Sequence, residues 1–259
     1  MSYGPRPWRQ TNWDWRAAAN FMLGGTGAGL MITESFVQNN SPYPVMLALL
    51  LVAAGLGAVW LEIGRKLRAV NVFFNPFTSW MTRESFAALS LFVFSSFGLF
   101  FDSKAALVAA ALAAFAFVYC QARILHGAKG IPAWRAPETV PLIVSTGFAE
   151  GAGLCLLFTT EDTALMLFAL AVVARAIAWS RYRRAVKSAA LEPAGRALLH
   201  VGGAAALLLA AAGYFVPELR PLAGVAAFAT GWWLKFALVT RASFNQGFSL
   251  PRLPVRGTR

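Results

Sequence analysis

Tyr119, Arg123 and His126 follow one another at spacings of four and three residues, so on a helix they share one face. A phenol, a guanidinium and an imidazole held together can bind and deprotonate a quinol. Imidazole titrates near neutrality, which suits proton exchange with water. The same trio also makes an ordinary interfacial helix end, with Arg and His meeting carbonyls and headgroups, and spacing alone leaves both readings open. A second dense stretch, Leu61–Glu84 (LEIGRKLRAVNVFFNPFTSWMTRE), joins two apolar runs yet carries Glu62, Arg65, Lys66, Arg68, Asn71, Trp80, Arg83 and Glu84. A plain tether needs far fewer hydrogen-bonding groups, so a docking and binding platform at a membrane surface is expected here.

Other ionisable groups stand inside apolar runs, where each is costly unless paired or hydrated. Glu150 lies mid-run and needs a partner, water or a proton; it serves either a proton path or a structural hydrogen bond. Arg175 and Lys235 are within about two turns of a run's end and are expected to snorkel. His126 and His200 are the only histidines, so one bis-histidine haem is conceivable and two stacked haems are not. Cys120 and Cys155 lack CxxC spacing and are expected as small core residues, with no metal site. Gly24, Gly25, Gly27 and Gly29 admit a close neighbouring backbone or a flat ligand. GGTGAG has neither the preceding strand nor the Lys-Ser/Thr of a phosphate loop.

The elements that must hold these groups are membrane helices. The 259-residue chain is 58% hydrophobic and 13% charged, against about 25% charged in soluble domains, and its mean hydropathy is +0.58. Eight runs reach spanning length: Ala17–Gln38, Tyr43–Gly64, Glu84–Phe101, Lys104–His126, Thr139–Thr159, Thr163–Ser180, Arg196–Val216 and Pro221–Thr240. The links Asn39–Pro42 and Asp102–Ser103 predict tight hairpins. The expected architecture is an all-α integral membrane protein forming one domain: an N-terminal segment (1–16), an eight-helix bundle (17–240) and a tail (241–259). Nineteen of the 23 Lys and Arg fall in the termini and alternate loops, and only Lys104 and Arg220 fall on the other side. That bias places both termini in the cytoplasm. Met1–Trp15 has no apolar core, so no secretory leader is expected. The net charge of +12 is spread in clusters between apolar runs, which argues against nucleic acid as a partner.

LEIGRKLRAVNVFFNPFTSWMTRE resembles a motif of the polysulfide reductase/NrfD and dimethyl sulfoxide reductase membrane-anchor superfamily: Leu, an acid, Gly and Arg, then Asn, then Pro-x-Thr/Ser-x-Trp-Met-x-Arg-Glu. ARILHGAKGIPAWRAPET is similar to that group's segment after span four, and WDWRAAANFMLGGTGAG to its aromatic N-terminus and glycine-rich first span. The opening is most similar to anchors of phenylacetyl-CoA:acceptor oxidoreductases. The resemblance covers most of the chain and all eight runs.

The resemblance implies a haem-free, cluster-free subunit in the bacterial cytoplasmic membrane. Such an anchor holds a ferredoxin-like four-cluster iron–sulfur subunit, which connects a molybdopterin catalytic subunit to membrane quinone. It places quinone near span one, span four and the loop after span two, with Tyr119, Arg123 and His126 as the reactive face. Asn20, Glu62, Arg65, Trp80, Arg83 and Glu84 are then expected around the quinone, and Lys66, Arg68, Asn71, Trp134 and Arg135 against the partner. Related anchors can carry a carboxylate about a turn after the span-four tyrosine, where this chain has Gln121, Ala122 and Arg123; His126, Glu62 or Glu84 would serve instead. The cytoplasmic bias suits an acyl-CoA substrate, with oxidation of sulfite or another sulfur compound as the alternative. A small permease using Glu34, Glu150 and Lys235 is the reading from a different class, although no internal repeat supports it.

Overall fold

The computed structural model describes residues 6–37, 41–63 and 65–247, which are helical almost throughout. Helix α1 (Trp15–Ala19), a π turn (Asn20–Gly24) and α2 (Gly25–Glu34) run on through helical dihedrals as one rod. Next come α3 (Tyr43–Glu62), a 3-10 segment (Lys66–Phe74), α4 (Trp80–Phe101), α5 (Lys104–Gly127) and the short α6 (Pro132–Arg135). After α7 (Thr139–Cys155) and α8 (Asp162–Ala185), another rod combines α9 (Glu192–Leu199), a π turn (His200–Ala205) and α10 (Ala206–Phe215). Helix α11 (Arg220–Phe236) ends in a third π turn (Ala237–Arg241).

Six of these helical units are long and apolar enough to cross a membrane. Their outward side chains are large and apolar, as at Phe100, Leu112, Met166 and Leu208, the surface a hydrocarbon solvent requires. The chain is an all-α, multi-pass membrane protein. The α1–α2 rod and the 17-residue α7, about 25 Å long, coincide with the remaining two sequence segments. Asn39 and Asn40 of the first hairpin, Gly64, and the tail beyond Gly247 lie outside the described residues.

Several boundaries differ from expectation, each for a local reason. Helix α4 starts at Trp80 because the Ser79 hydroxyl accepts the Thr82 N–H at 3.3 Å, a serine N-cap. Trp80 and Arg83 are therefore helical rather than part of the loop before Glu84. Helix α8 continues through Arg181, Arg183 and Arg184, cations that suit its C-terminal turn. The predicted turn between α4 and α5 is present, made by Asp102 at φ 48°, a left-handed conformation that Asp tolerates.

Helix α7 is the centre of the bundle, and glycine is the reason. A Cβ on Gly29 would strike the Gly147 backbone, and one on Gly151 would strike Gly29 and Leu30. Gly153 and Gly224 exclude each other's Cβ in the same way, so α2 and α11 both touch α7 backbone to backbone. The small residues of span one are thus largely a packing surface.

The segments expected on one side of the membrane gather at one end of the bundle. Arg9 and Phe244 form an antiparallel bridge, and Gln10 N–H donates to the Ser243 carbonyl at 3.0 Å. Gln246 N–H reaches the Gly130 carbonyl at 3.1 Å, and the Tyr182 hydroxyl donates to the Ala133 carbonyl at 2.8 Å. At the opposite end, buried Arg220 ties three elements. It donates to the Gly213 carbonyl at 2.8 Å and to the Thr160 carbonyl, and pairs with Asp162 at 2.9 Å.

Candidate functional site

The residues singled out by sequence separate into two neighbouring groups. In the first, Asn20 opens the first π turn and donates through Nδ2 to Glu84 Oε1 at 3.0 Å. Glu84 sits near the start of α4, and both side chains are buried. Gln121 Nε2 donates to the Asn20 carbonyl at 2.9 Å, while Gly24 leaves room for that amide and Gly55 lets α3 approach the turn. Asn20 Oδ1 and Gln121 Oε1 are buried without a hydrogen-bond partner.

Asn20 and Glu84 form part of the wall of a cavity of about 730 Å³, within the usual size of a small-molecule site. Trp13, Phe21, Trp60, Phe73 and Phe92 supply aromatic surface, and Glu62 and Arg68 add polar groups. The 3-10 segment forms one side through Ala69, Val72 and Phe73. Beside the cavity, Asp14 caps α1 by accepting the Arg16 N–H at 2.8 Å. The Arg16 guanidinium, hydrogen-bonded to Asp14, holds its carboxyl below the usual carboxylate range, and it also reaches the Leu61 carbonyl at 3.4 Å.

The second group is a cation–aromatic stack between α4 and α5. The Trp80 ring carries the Arg83 guanidinium 4.2 Å from its centroid and the Arg123 guanidinium at 4.5 Å. Arg123 donates to the Tyr119 hydroxyl at 3.0 Å, and Tyr119 meets Trp80 edge-on at 5.9 Å. Arg83 also donates to the Pro76 and Phe77 carbonyls at 2.8 and 2.6 Å. These residues, and half-buried His126, do not line the cavity; Ile124 is the α5 residue that does. The expected reactive face and the expected binding carboxylates therefore do not converge. A helix turns about 100° per residue, so Tyr119 and Arg123 point away from the side that Ile124 presents.

The docking residues divide as well. Lys66 and Asn71 are exposed, with Lys66 4.8 Å above the Trp60 ring, and Arg65 is exposed nearby. Arg68, expected against a partner, is exposed yet reaches the cavity wall. Trp134 corrects expectation: it is 2% exposed, stacks on Trp13 at 4.9 Å and donates to the Leu238 carbonyl at 2.8 Å. Docking needs a surface that this ring does not have. Arg135 binds within the chain, to the Lys129 carbonyl at 3.1 Å and Gln246 Oε1 at 2.7 Å. Trp134→Phe removes a buried hydrogen bond and leaves Leu238 unsatisfied, so a loss of about 1–3 kcal/mol is expected, read as a lower melting temperature in detergent.

Deeper in the bundle is an arrangement that sequence position misread. Lys235 and Arg175 do not snorkel. Lys235 and Glu150 are each fully buried and pair at 2.6 Å. The Thr26 hydroxyl lies 2.6 Å from Glu150 Oε2 and accepts the Trp232 indole N–H at 2.9 Å. Glu150 Oε1 has no partner. Arg175 donates to the Ala227 and Gly202 carbonyls at 2.7 and 2.5 Å. The available signal was glycine: a Cβ at Gly25 would meet Lys235 Nζ, and one at Gly231 would meet Glu150 Oε1.

The three described π turns have a common use. Widening the helix frees a carbonyl from its usual partner, and here each turn offers one to a buried side chain. Asn20 accepts from Gln121, Gly202 from Arg175 and Leu238 from Trp134.

No family model matches the chain, and no curated protein matches it. Chemically, the cavity offers flat aromatic walls, a buried carboxyl–carboxamide pair in its wall, and a half-buried carboxylate in Glu62. That set suits a planar, largely apolar ligand with carbonyl or hydroxyl oxygens. Among the described residues no three His, Cys, Asp or Glu side chains group so as to hold a metal ion.

Proposed function

We propose that the chain is the quinone-reactive anchor of a membrane-bound oxidoreductase. It has eight spans, both termini in the cytoplasm, and a cytoplasm-facing iron–sulfur subunit that leads to a molybdopterin catalytic subunit. The Asn20–Glu84 pair in the wall of the aromatic cavity carries this reading, and the motif resemblance around Leu61–Glu84 names its chemical class. A phenylacetyl-CoA-like acyl-CoA is the proposed substrate class of the catalytic subunit, with a sulfur compound as the alternative.

The residues present fit a quinone headgroup. Asn20 holds Glu84 Oε1 through its amide N–H at the cavity wall. A bound quinone supplies a two-electron, two-proton couple, with the electrons coming from the iron–sulfur partner. Glu84 is the proton-holding group within the cavity, and Asn20 fixes which carboxyl oxygen faces it. Glu62, at the cytoplasmic end of α3, exchanges protons with water. The Trp13, Trp60 and Phe73 rings keep the headgroup flat and exclude water. In this reading Trp80, Arg83, Tyr119 and Arg123 brace α4 against α5 and so hold Glu84 in place.

Co-purification tests the proposal. The tagged chain should bring down a ferredoxin-like subunit and a molybdopterin subunit, and Lys66→Glu should lower their yield several-fold by reversing the charge at the proposed docking surface. Isolation of the chain without either partner from its native membrane would defeat the proposal. One observation favours a permease instead: the buried Glu150–Lys235 pair near Arg175 resembles a carrier's midplane charges. Solute flux by the chain alone in liposomes would select that reading.

A further inference from the structure

A second cavity, of about 500 Å³, lies between α8 and the α9–α10 rod, and it shares no lining residue with the aromatic cavity. On α8, Val173, Ala176 and Ile177 line it at helical spacing. From Val172 to Arg184 the α8 face is about 18 Å long. The opposite wall is Leu199, Gly203, Ala204 and Leu207. Gly203 and Ala204 belong to the second π turn, and their small side chains leave the groove deep. Its inner part is therefore a hydrocarbon-lined slot on the membrane-facing surface.

At one end the chemistry changes. Ser180, Arg181 and Arg184 line the groove where α8 reaches the basic end of the bundle. Arg181 and Arg184 are three residues apart and so share a face. Both are exposed, and neither has an intramolecular partner among the described residues. No carboxylate occurs among the residues lining the groove. Two unneutralised guanidinium groups at the mouth of an apolar slot complement a phosphate attached to an acyl chain.

We propose that this groove binds one anionic phospholipid, with an acyl chain along Val173, Ile177 and Leu207 and the phosphate between Arg181 and Arg184. Guanidinium planes suit a phosphodiester because their paired N–H groups match its oxygens. The site depends only on the chain lying in a bilayer and is independent of the quinone reading.

Native mass spectrometry of the detergent-purified protein tests it, with phosphatidylglycerol and phosphatidylcholine of identical chains as probes. Each cation near the surface contributes enough to shift affinity about fivefold, so the wild type should prefer phosphatidylglycerol by roughly thirtyfold. Arg181→Ala/Arg184→Ala should erase the preference, and Arg181→Lys/Arg184→Lys should keep most of it. Gly203→Leu, which fills the slot but leaves the arginines, should weaken retention of both lipids. Should the alanine variant keep the full preference, or Gly203→Leu leave lipid retention unchanged, the site is elsewhere. Competition by glycerol phosphate as strong as by the intact lipid would also overturn the proposal, since it would mean a soluble-anion site.

Discussion

Glu150→Gln is expected to destabilise the bundle by about 3–5 kcal/mol, because it leaves the Lys235 ammonium buried without its counter-charge. Lys235→Met should cost a similar amount for the converse reason, stranding the carboxylate with Thr26. The double variant should recover most of the loss, since an uncharged pair of similar volume removes both desolvation penalties. The unfolding midpoint in mixed detergent micelles measures this, with the three variants run beside the wild type. If the double variant loses as much as the two singles added together, the groups are not coupled and the pair is not what holds α7 to α11.

Glu84→Gln is expected to reduce quinone turnover by about 10²–10⁴-fold, the usual contribution of a positioned acid–base group, in an assembled complex with normal partner yield. Glutamine keeps the size of the side chain and its contact with Asn20 while losing the exchangeable proton. Tyr119→Phe should change turnover little, because its hydroxyl is held by Arg123 outside the cavity. Steady-state quinone reduction with a short-chain analogue compares the two. Near-normal turnover in Glu84→Gln, or a large loss in Tyr119→Phe, would move the site from the cavity to the stack around Trp80.

The helical architecture was legible because a bilayer imposes a long apolar run on every pass: six of the runs form helices long and apolar enough to cross one, and the other two are helical but shorter. Ends were harder. Ser79 begins α4 through one hydrogen bond, and Arg181–Arg184 extend α8 instead of ending it; hydropathy registers neither. Of the candidate site, Asn20, Glu62 and Glu84 lie together around the cavity. Their separation from Tyr119 and Arg123 depends on the rotation of α4 and α5, which short-range spacing does not determine. The resemblance puts Trp134 against a partner, yet Leu238, more than a hundred positions away, holds it in the interior. Distance from a run's end predicts snorkelling for Arg175 and Lys235, whereas their environment is set by carbonyls and a carboxylate on other helices. The π turns have no compositional mark at all.

The Glu150–Lys235 pair also constrains how the protein is made. The two residues are 85 positions apart in sequence, and translation proceeds at about 5–20 residues per second. Thr26, on α2, emerges early; Lys235 follows Glu150 by roughly 4–17 s. During that interval α7 has been synthesised with its carboxyl lacking a cation, and the glycine-lined seat for α11 is empty. The last helix is thus the one that neutralises the core, so a nascent chain stopped short of it presents an unpaired acid to whatever surveys the membrane for unfinished proteins.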